Sequence, residues 1–285
     1  MEEENSVTFN LFQWNTLNRK LSDKKAFPLV KDKYLQWYHR HPLIKKIIEE
    51  SNSDIICLEE VGNNFDKDFK EKIFDKCNIK YDLIFELRKS KFMGIVIGVN
   101  KEIFSIEKHE NIILSGGEGQ KVGQNMVVAL INDKKSNNKF MVIALHLLSK
   151  EENENIRLNQ VEFLMKYVED NYLGKYPIFI LGDFNAEPNF LCIQKFLENK
   201  KLNAKSLFNL NELDYTHYII NERIDIRILD YMFFVPKDKE NKDKELKILN
   251  LERGKPVIDE NIGLPNEVFP SDHLFLKAKL ELFFV

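Results

Sequence analysis

The chain has 285 residues, 44% hydrophobic and 31% charged, with 22 phenylalanines, which supports a large aromatic core and excludes a disordered chain. Its formal net charge of −3 excludes a protein that coats nucleic acid through bulk basicity. Any polyanion it binds is expected to be held by a local patch or through a metal.

The amino terminus, MEEENSVTFN, is acidic and reads as carrying no secretory or mitochondrial signal. No apolar run approaches the roughly 18 residues of a membrane span. A cytoplasmic protein without membrane contact is expected. Residues 7–14 (VTFNLFQW) predict a strand that runs into Asn15. A polar, Lys-rich loop covers residues 18–33. Pro42 then opens a predicted helix, with Leu43, Ile44, Ile47 and Ile48 at helical spacing. IICLEEV (55–61) is a buried strand ending in acids. Phe65, Phe69, Ile73 and Cys77 recur every four residues and predict another helix.

YDLIFEL, FMGIVIGV, NMVVALI and FMVIALHLL read as strands, and their near-continuous apolar runs suggest cover on both faces. SGGEGQ (115–120) lacks the Lys and Ser/Thr of a phosphate loop and reads as a flexible turn. Residues 154–170 predict a helix with Ile156, Phe163, Leu164 and Tyr167 on one stripe. PIFILGDFN is the next strand, and Phe190, Ile193 and Leu197 mark a helix after it. IRILDYMFFV and DHLFLKAKLEL are closing strands. KDKENKDKELK (237–247) alternates in sign and reads as a solvated loop. Cys57, Cys77 and Cys192 form neither a disulfide framework nor a close-spaced metal cluster, which fits a reducing compartment. Strands outnumber helices and most are joined by short connections. Two mostly antiparallel sheets packed together, with helices outside, therefore fit better than strict strand–helix alternation. Residues 1–285 read as a single domain without internal repeats.

Polar groups end or interrupt six apolar segments. They are Asn15; Glu59 and Glu60; His146; Asp183 and Asn185; Asp230; and Asp272 with His273. Buried charge is costly unless paired or metal-bound, so six such segments suggest convergence on one site. Taken singly, each residue has a plainer reading. Asn15 would be a strand-end cap, His146 a satisfied core histidine, and Asp230 a partner of Arg227 or Arg223. Carboxylates and amides without thiolates suit Mg²⁺, which keeps waters and binds through one or two carboxylates plus substrate phosphate. Imidazoles suit a phosphoryl oxygen or proton transfer, so the set points to phosphate-ester hydrolysis.

WNTL (14–17), DIICLEEV (54–61), ALHL (144–147), GDFNAEP (182–188), LDYMFF (229–234) and FPSDH (269–273) stand in an order that resembles the endonuclease/exonuclease/phosphatase superfamily. GDFNAEP, LQWYHR, FPSDH and ENIRLNQ (154–160) look most like its nocturnin and carbon catabolite repressor-type deadenylase branch. The resemblance implies a four-layered, deoxyribonuclease-like α/β sandwich. It also implies Mg²⁺, with Mn²⁺ as a substitute and one or two ions bound. By that resemblance Glu60 matches the metal ligand, with Asn15 beside it and Asp272 near it. Asp183 and Asn185 match the pair that orients and activates the attacking water, and His146 matches a phosphate contact. His273 matches the histidine on the phosphoryl oxygens, with Asp230 as its carboxylate partner. Asn125 and Arg157 are candidate substrate contacts.

The implied partner is RNA, poly(A) in particular, or an adenine-containing nucleotide, and a monomer is expected. An NADP(H) 2′-phosphatase and a 2′,5′-oligoadenylate phosphodiesterase share the mechanism. A catalytically inactive binding protein is disfavoured because the core residues are all present. Two departures stand out. Glu59 replaces the family's usual Gln, and either adds charge near the metal or, as alternation favours, points away along the strand. Leu148 stands where relatives often carry Lys, with Lys150 nearby. His39, His41, His109 and His217 read as surface or loop residues, although YTHY leaves His217 able to line the cleft.

Overall fold

Side chains alternate across a strand, so one strand can serve two cores. β1 (Ser6–Asn15) does this: Phe9 and Leu11 enter one apolar cluster, Phe12 and Trp14 another. The computed structural model describes residues 5–120, 122–221, 223–238 and 242–284. After β1 come α1 (Asp32–Leu35), α2 (Trp37–Ser51) and β2 (Ile55–Gly62). β3 (Tyr81–Leu87), β4 (Met93–Asn100), β5 (Phe104–Ile113), β6 (Asn125–Asp133) and β7 (Lys139–His146) follow. The chain continues through α3 (Glu154–Asn171), β8 (Ile178–Asp183), α4 (Leu191–Glu198), β9 (Lys205–Ser206) and β10 (His217–Ile220). It closes with β11 (Ile224–Arg227), β12 (Asp230–Val235), α5 (Lys242–Glu245), β13 (Leu246–Arg253) and β14 (Leu276–Phe283).

Among the described residues the strands form two six-stranded sheets, ordered β13-β14-β1-β2-β4-β3 and β5-β6-β7-β8-β12-β9, plus a β10-β11 ribbon. Each large sheet is antiparallel except for one central pair, β1 with β2 and β7 with β8. Phe9, Leu11, Ile55, Cys57, Ile97, Val142, Phe179, Leu181, Met232 and Phe234 fill the space between the sheets. Phe9 stacks on Phe140 at 5.3 Å between ring centroids, and Phe179 packs edge-on to both. α3 and α4 cover the outer face of the second sheet, and α2 covers that of the first. The layers are thus helix, sheet, sheet, helix, the deoxyribonuclease-like α/β sandwich that the sequence implied.

Some local expectations change. α2 begins at Trp37, so Pro42 lies inside it. Phe65, Phe69, Ile73 and Cys77 all bury, but on a π turn (Asp66–Lys70) and a 3₁₀ turn (Phe74–Lys76) in place of one regular helix. The buried face of α3 runs through Val161, Leu164, Met165 and Val168, with polar Arg157 and Gln160 extending it. IRILDYMFFV splits into β11 and β12. Thr216 Oγ1 accepts the Leu229 and Asp230 N–H groups at 2.9 and 3.0 Å, which ends one ladder and starts the next. Within 237–247, residues 239–241 lie outside the described residues. The rest is more ordered than a solvated loop: the buried Glu245 accepts the Lys237 and Asp238 N–H groups, and β13 starts at Leu246. Among the described residues no helix is long and apolar enough to cross a membrane.

Candidate active site

The two parallel pairs deliver their carboxyl ends to one edge of the sandwich. Asn15 lies opposite Glu59 in one pair and His146 opposite Asp183 in the other, while Asp230 pairs with Asp183 across β12. Strand alternation then sets direction. The odd-numbered positions 9 and 11, 55 and 57, and 179 and 181 face the inter-sheet core. Gln13, Asn15, Glu59 and Asp183 continue those faces to the sheet edge. On the even phase, His146 continues Val142 and Ala144, and Asp230 leads into Met232 and Phe234.

Gly182, before Asp183, holds φ +143°, and a Cβ there would lie 1.9 Å from the Leu145 carbonyl oxygen. Only glycine lets β8 approach β7 this closely. Glu60 holds φ +59° at the bulge between Leu58 and Val61, which turns its half-exposed carboxylate to the rim. Asn185, at φ +49°, donates its side-chain amide to the Leu147 carbonyl at 3.1 Å. These are uncommon angles for side-chain-bearing residues and mark positions held by their surroundings.

Asp183 is the hub. Its Oδ2 accepts from Asn15 Nδ2 at 3.0 Å, and lies 3.6 Å from His146 Nε2 and 3.8 Å from His273 Nε2. Its Oδ1 accepts the Asn185 N–H at 2.8 Å. Asp230 Oδ2 lies 2.8 Å from His273 Nδ1, which leaves Nε2 to face Asp183. Burial would lower the His273 pKa, but Asp230 and Asp183 outweigh it and raise it well above the ordinary imidazole value. Arg227 donates to Asp225 at 2.8 Å, so Asp230 is no partner of that arginine.

Glu59 neither turns away nor stands free at the rim. It is fully buried below Asp230, where Gln13 Nε2 donates to Glu59 Oε2 at 2.9 Å and to Asp230 Oδ1 at 3.0 Å. Burial and the Asp230 charge push its carboxyl well above the usual range. Glu60 Oε2 accepts the Asn18 N–H at 2.8 Å. Arg40, from LQWYHR, is fully buried and donates to the Thr16, Leu17 and Pro270 carbonyls, all at 2.6 Å. It thereby ties the Asn15 loop to the Asp272 loop. Burial brings its pKa down to about 10 against the charges of Asp272 and Glu60.

Two expected substrate contacts fall outside this constellation. Arg157, expected at the substrate, donates to the Leu148, Lys150 and Glu151 carbonyls. Gln160 accepts the Leu148 N–H at 3.1 Å. The ENIRLNQ signature therefore anchors the loop after His146. Asn125 donates to Asn111 at 2.8 Å at the start of β6. Asp272 faces His217 Nε2 at 3.6 Å. His217 is buried, 5% exposed, with its ring 4.8 Å from that of His273, so it belongs to the site. Gln13 and Arg40 were missed as site residues, and His217 was read as a surface or loop residue that YTHY left able to line the cleft. The signal for Gln13 was present: it shares the strand phase of Asn15.

An oxygen-rich rim suits a hard divalent cation. Glu60 offers a carboxylate and Asn15 and Asp183 lie inside it. Two groups, Asp183–Asp230–His273 and His217–Asp272–His273, bring ligand atoms within 4.8 Å of one another.

Fold and site together define a class, the hydrolases of phosphate esters built on a two-sheet sandwich. The family model described as "Endonuclease/Exonuclease/phosphatase family" matches residues 12–273, and the chain belongs to that family. It is 27% identical to Nocturnin of Homo sapiens over 93% of this chain and 63% of that protein. It is 20% identical to the "CCR4-Not complex 3'-5'-exoribonuclease subunit Ccr4" of Kluyveromyces lactis, over 96% of this chain and 41% of that one. The chain thus spans between two fifths and two thirds of the length of these relatives. The solved catalytic domain of human Nocturnin with bound sulfate superposes with a TM-score of 0.75 at 22% identity, covering 98% of this chain and 96% of that one. ANGEL2, described as a 2′,3′-cyclic phosphatase, with adenosine-2′,3′-vanadate superposes at 0.80 and 19% identity, with the same coverage.

Proposed function

We propose that the protein hydrolyses phosphodiester bonds in RNA with Mg²⁺, removing adenylate from the 3′ end of poly(A). The observation that carries this reading is the convergence of Asn15, His146, Asp183, Asp230 and His273 on one point, with Glu60 at the rim. The similarity to a relative described as a 3'-5'-exoribonuclease subunit supports the RNA substrate. A substrate of that kind also needs a cationic flank, since bulk charge does not supply one. Lys20 Nζ and Arg88 Cζ lie 5.3 and 5.7 Å from the Phe92 ring centre, and Arg88 feels the Glu60 charge. A ring between two cations suits a base with its phosphates.

Glu60, with Asn15 at its side, would hold Mg²⁺, which neutralises charge on the phosphoryl oxygens when bound. Asp183 is oriented by Asn15 and by the Asn185 N–H, and it accepts the proton of the attacking water. His146 and His273 present their Nε2 atoms from two sides, where they bond the phosphoryl oxygens. Asp230 fixes the His273 tautomer. Gln13 holds Asp230 from below while also donating to the buried Glu59.

The test is a parallel Mg²⁺-dependent assay of poly(A), 2′,5′-oligoadenylate and NADP(H), with Asp183→Ala as control. Shortening of poly(A) that disappears in the variant is expected. Inert poly(A) with phosphate release from NADP(H), or cleavage of the 2′,5′ linkage, would keep the mechanism and replace the substrate.

A further inference from the structure

We infer that His217, Asp272 and His273 form a second metal site, one that takes Zn²⁺ or a similar transition ion in preference to Mg²⁺. The backbone builds it. Tyr218 N donates to the Asp272 carbonyl at 2.9 Å and Leu274 N to the Thr216 carbonyl at 2.6 Å, so His217 and His273 face each other across an isolated antiparallel bridge. Directly opposed residues in such a pair carry their side chains on the same side of the ladder. The two imidazole rings accordingly stand 4.8 Å apart.

Asp272 contributes the third donor, with Oδ2 3.6 Å from His217 Nε2. That distance is too long for a hydrogen bond. Ligand atoms around a tetrahedral ion, each ~2 Å from it, sit roughly 3.3 Å apart, so the gap needs to close by only a few tenths of an ångström. All three side chains are 10% exposed or less. One further observation favours a ligand: His273 has its Nδ1 held by the Asp230 carboxylate at 2.8 Å. A carboxylate behind the far nitrogen is the arrangement that orients metal-ligating histidines.

The donor set decides the ion. Two imidazoles and one carboxylate suit Zn²⁺, Mn²⁺ or Co²⁺ and leave a coordination position open, whereas Mg²⁺ prefers oxygen alone. The consequence rests on the proposed hydrolysis. An ion here takes His273 Nε2 away from the phosphoryl oxygen, so Zn²⁺ inhibits the Mg²⁺-supported reaction.

The experiment needs no substrate. The metal-free protein is titrated with Zn²⁺ against a chromogenic chelator, comparing the parent chain, His217→Asn and Glu60→Ala. Expected is one tightly bound Zn²⁺ in the parent chain, retained in Glu60→Ala and weakened at least tenfold in His217→Asn. Equal affinity in His217→Asn, or no binding by the parent chain, would overturn the site. Co²⁺ loaded into the parent chain gives a check that needs no variant. Intense visible bands of a four- or five-coordinate ion are expected, and a weak six-coordinate spectrum would sink the assignment. Hydrolysis with and without Zn²⁺ is then compared in the parent chain and in His217→Asn. Inhibition of equal strength in His217→Asn would refute the consequence. Absence of hydrolysis on every phosphate ester would refute the function and leave the zinc measurement standing.

Discussion

At the scale of single residues, position and neighbours give Glu60 and Gln13 different duties. Glu60 is half exposed on its bulge, so Glu60→Ala removes a rim carboxylate without opening the core. Loss of Mg²⁺-dependent hydrolysis with an unchanged melting temperature is the expected result. Activity surviving at ordinary Mg²⁺ concentrations would refute the metal assignment. Gln13 touches no substrate position. It acts through Asp230 and Glu59, donating to both. Gln13→Leu leaves two buried acceptors short of a donor, a loss worth about 1–3 kcal/mol of stability. As a positioning residue it should lower kcat while leaving KM largely unchanged; a change confined to KM would contradict the role. The polar residues at strand ends were legible because an acid or amide closing an apolar run has few cheap explanations. Arg157 was misread because sequence shows a cation's charge but not the carbonyls it serves. His217 was underread because its partner lies 56 positions away in the chain, across a bridge that no local pattern announces.

At the scale of elements, buried strands were readable and exposed ones were not. β4, β6, β7 and β8 are apolar through their middles, with polar residues only toward their ends. β5, with FSIEKHENII, has a largely exposed outer edge and lacks that signal. What holds β5 to α3 is partly electrostatic. Glu110 accepts hydrogen bonds from Tyr167 and Tyr172 at 2.8 and 2.9 Å, and these bonds hold its carboxyl below the ordinary value. A carboxyl depressed in the folded state stabilises above its unfolded pKa, about 4.3. That contribution fades as pH falls through the folded value. The urea midpoint of the parent chain should therefore drop between pH 6 and pH 3 by more than that of Glu110→Gln. Parallel slopes for the two proteins would show that the tyrosines do not stabilise the charged form.

At the scale of the whole molecule, the aromatic-rich composition found its place between the sheets. Phe179 meets Phe9, Phe140 and Phe234 there, with ring centroids 5.2–5.9 Å away. Phe179→Ala should cost about 3–5 kcal/mol, read from the denaturant midpoint. A loss below about 1 kcal/mol would mean that the inter-sheet layer can collapse around the gap. The same layer is also what spaces the reacting groups. Asn15 belongs to one sheet and Asp183 to the other, and they meet in a single 3.0 Å hydrogen bond. The chemistry is therefore a gauge of sandwich closure: if the two halves part by even an ångström, catalysis stops while every strand keeps its partners. Under rising denaturant, enzymatic rate should fade before the far-ultraviolet signal of either sheet does.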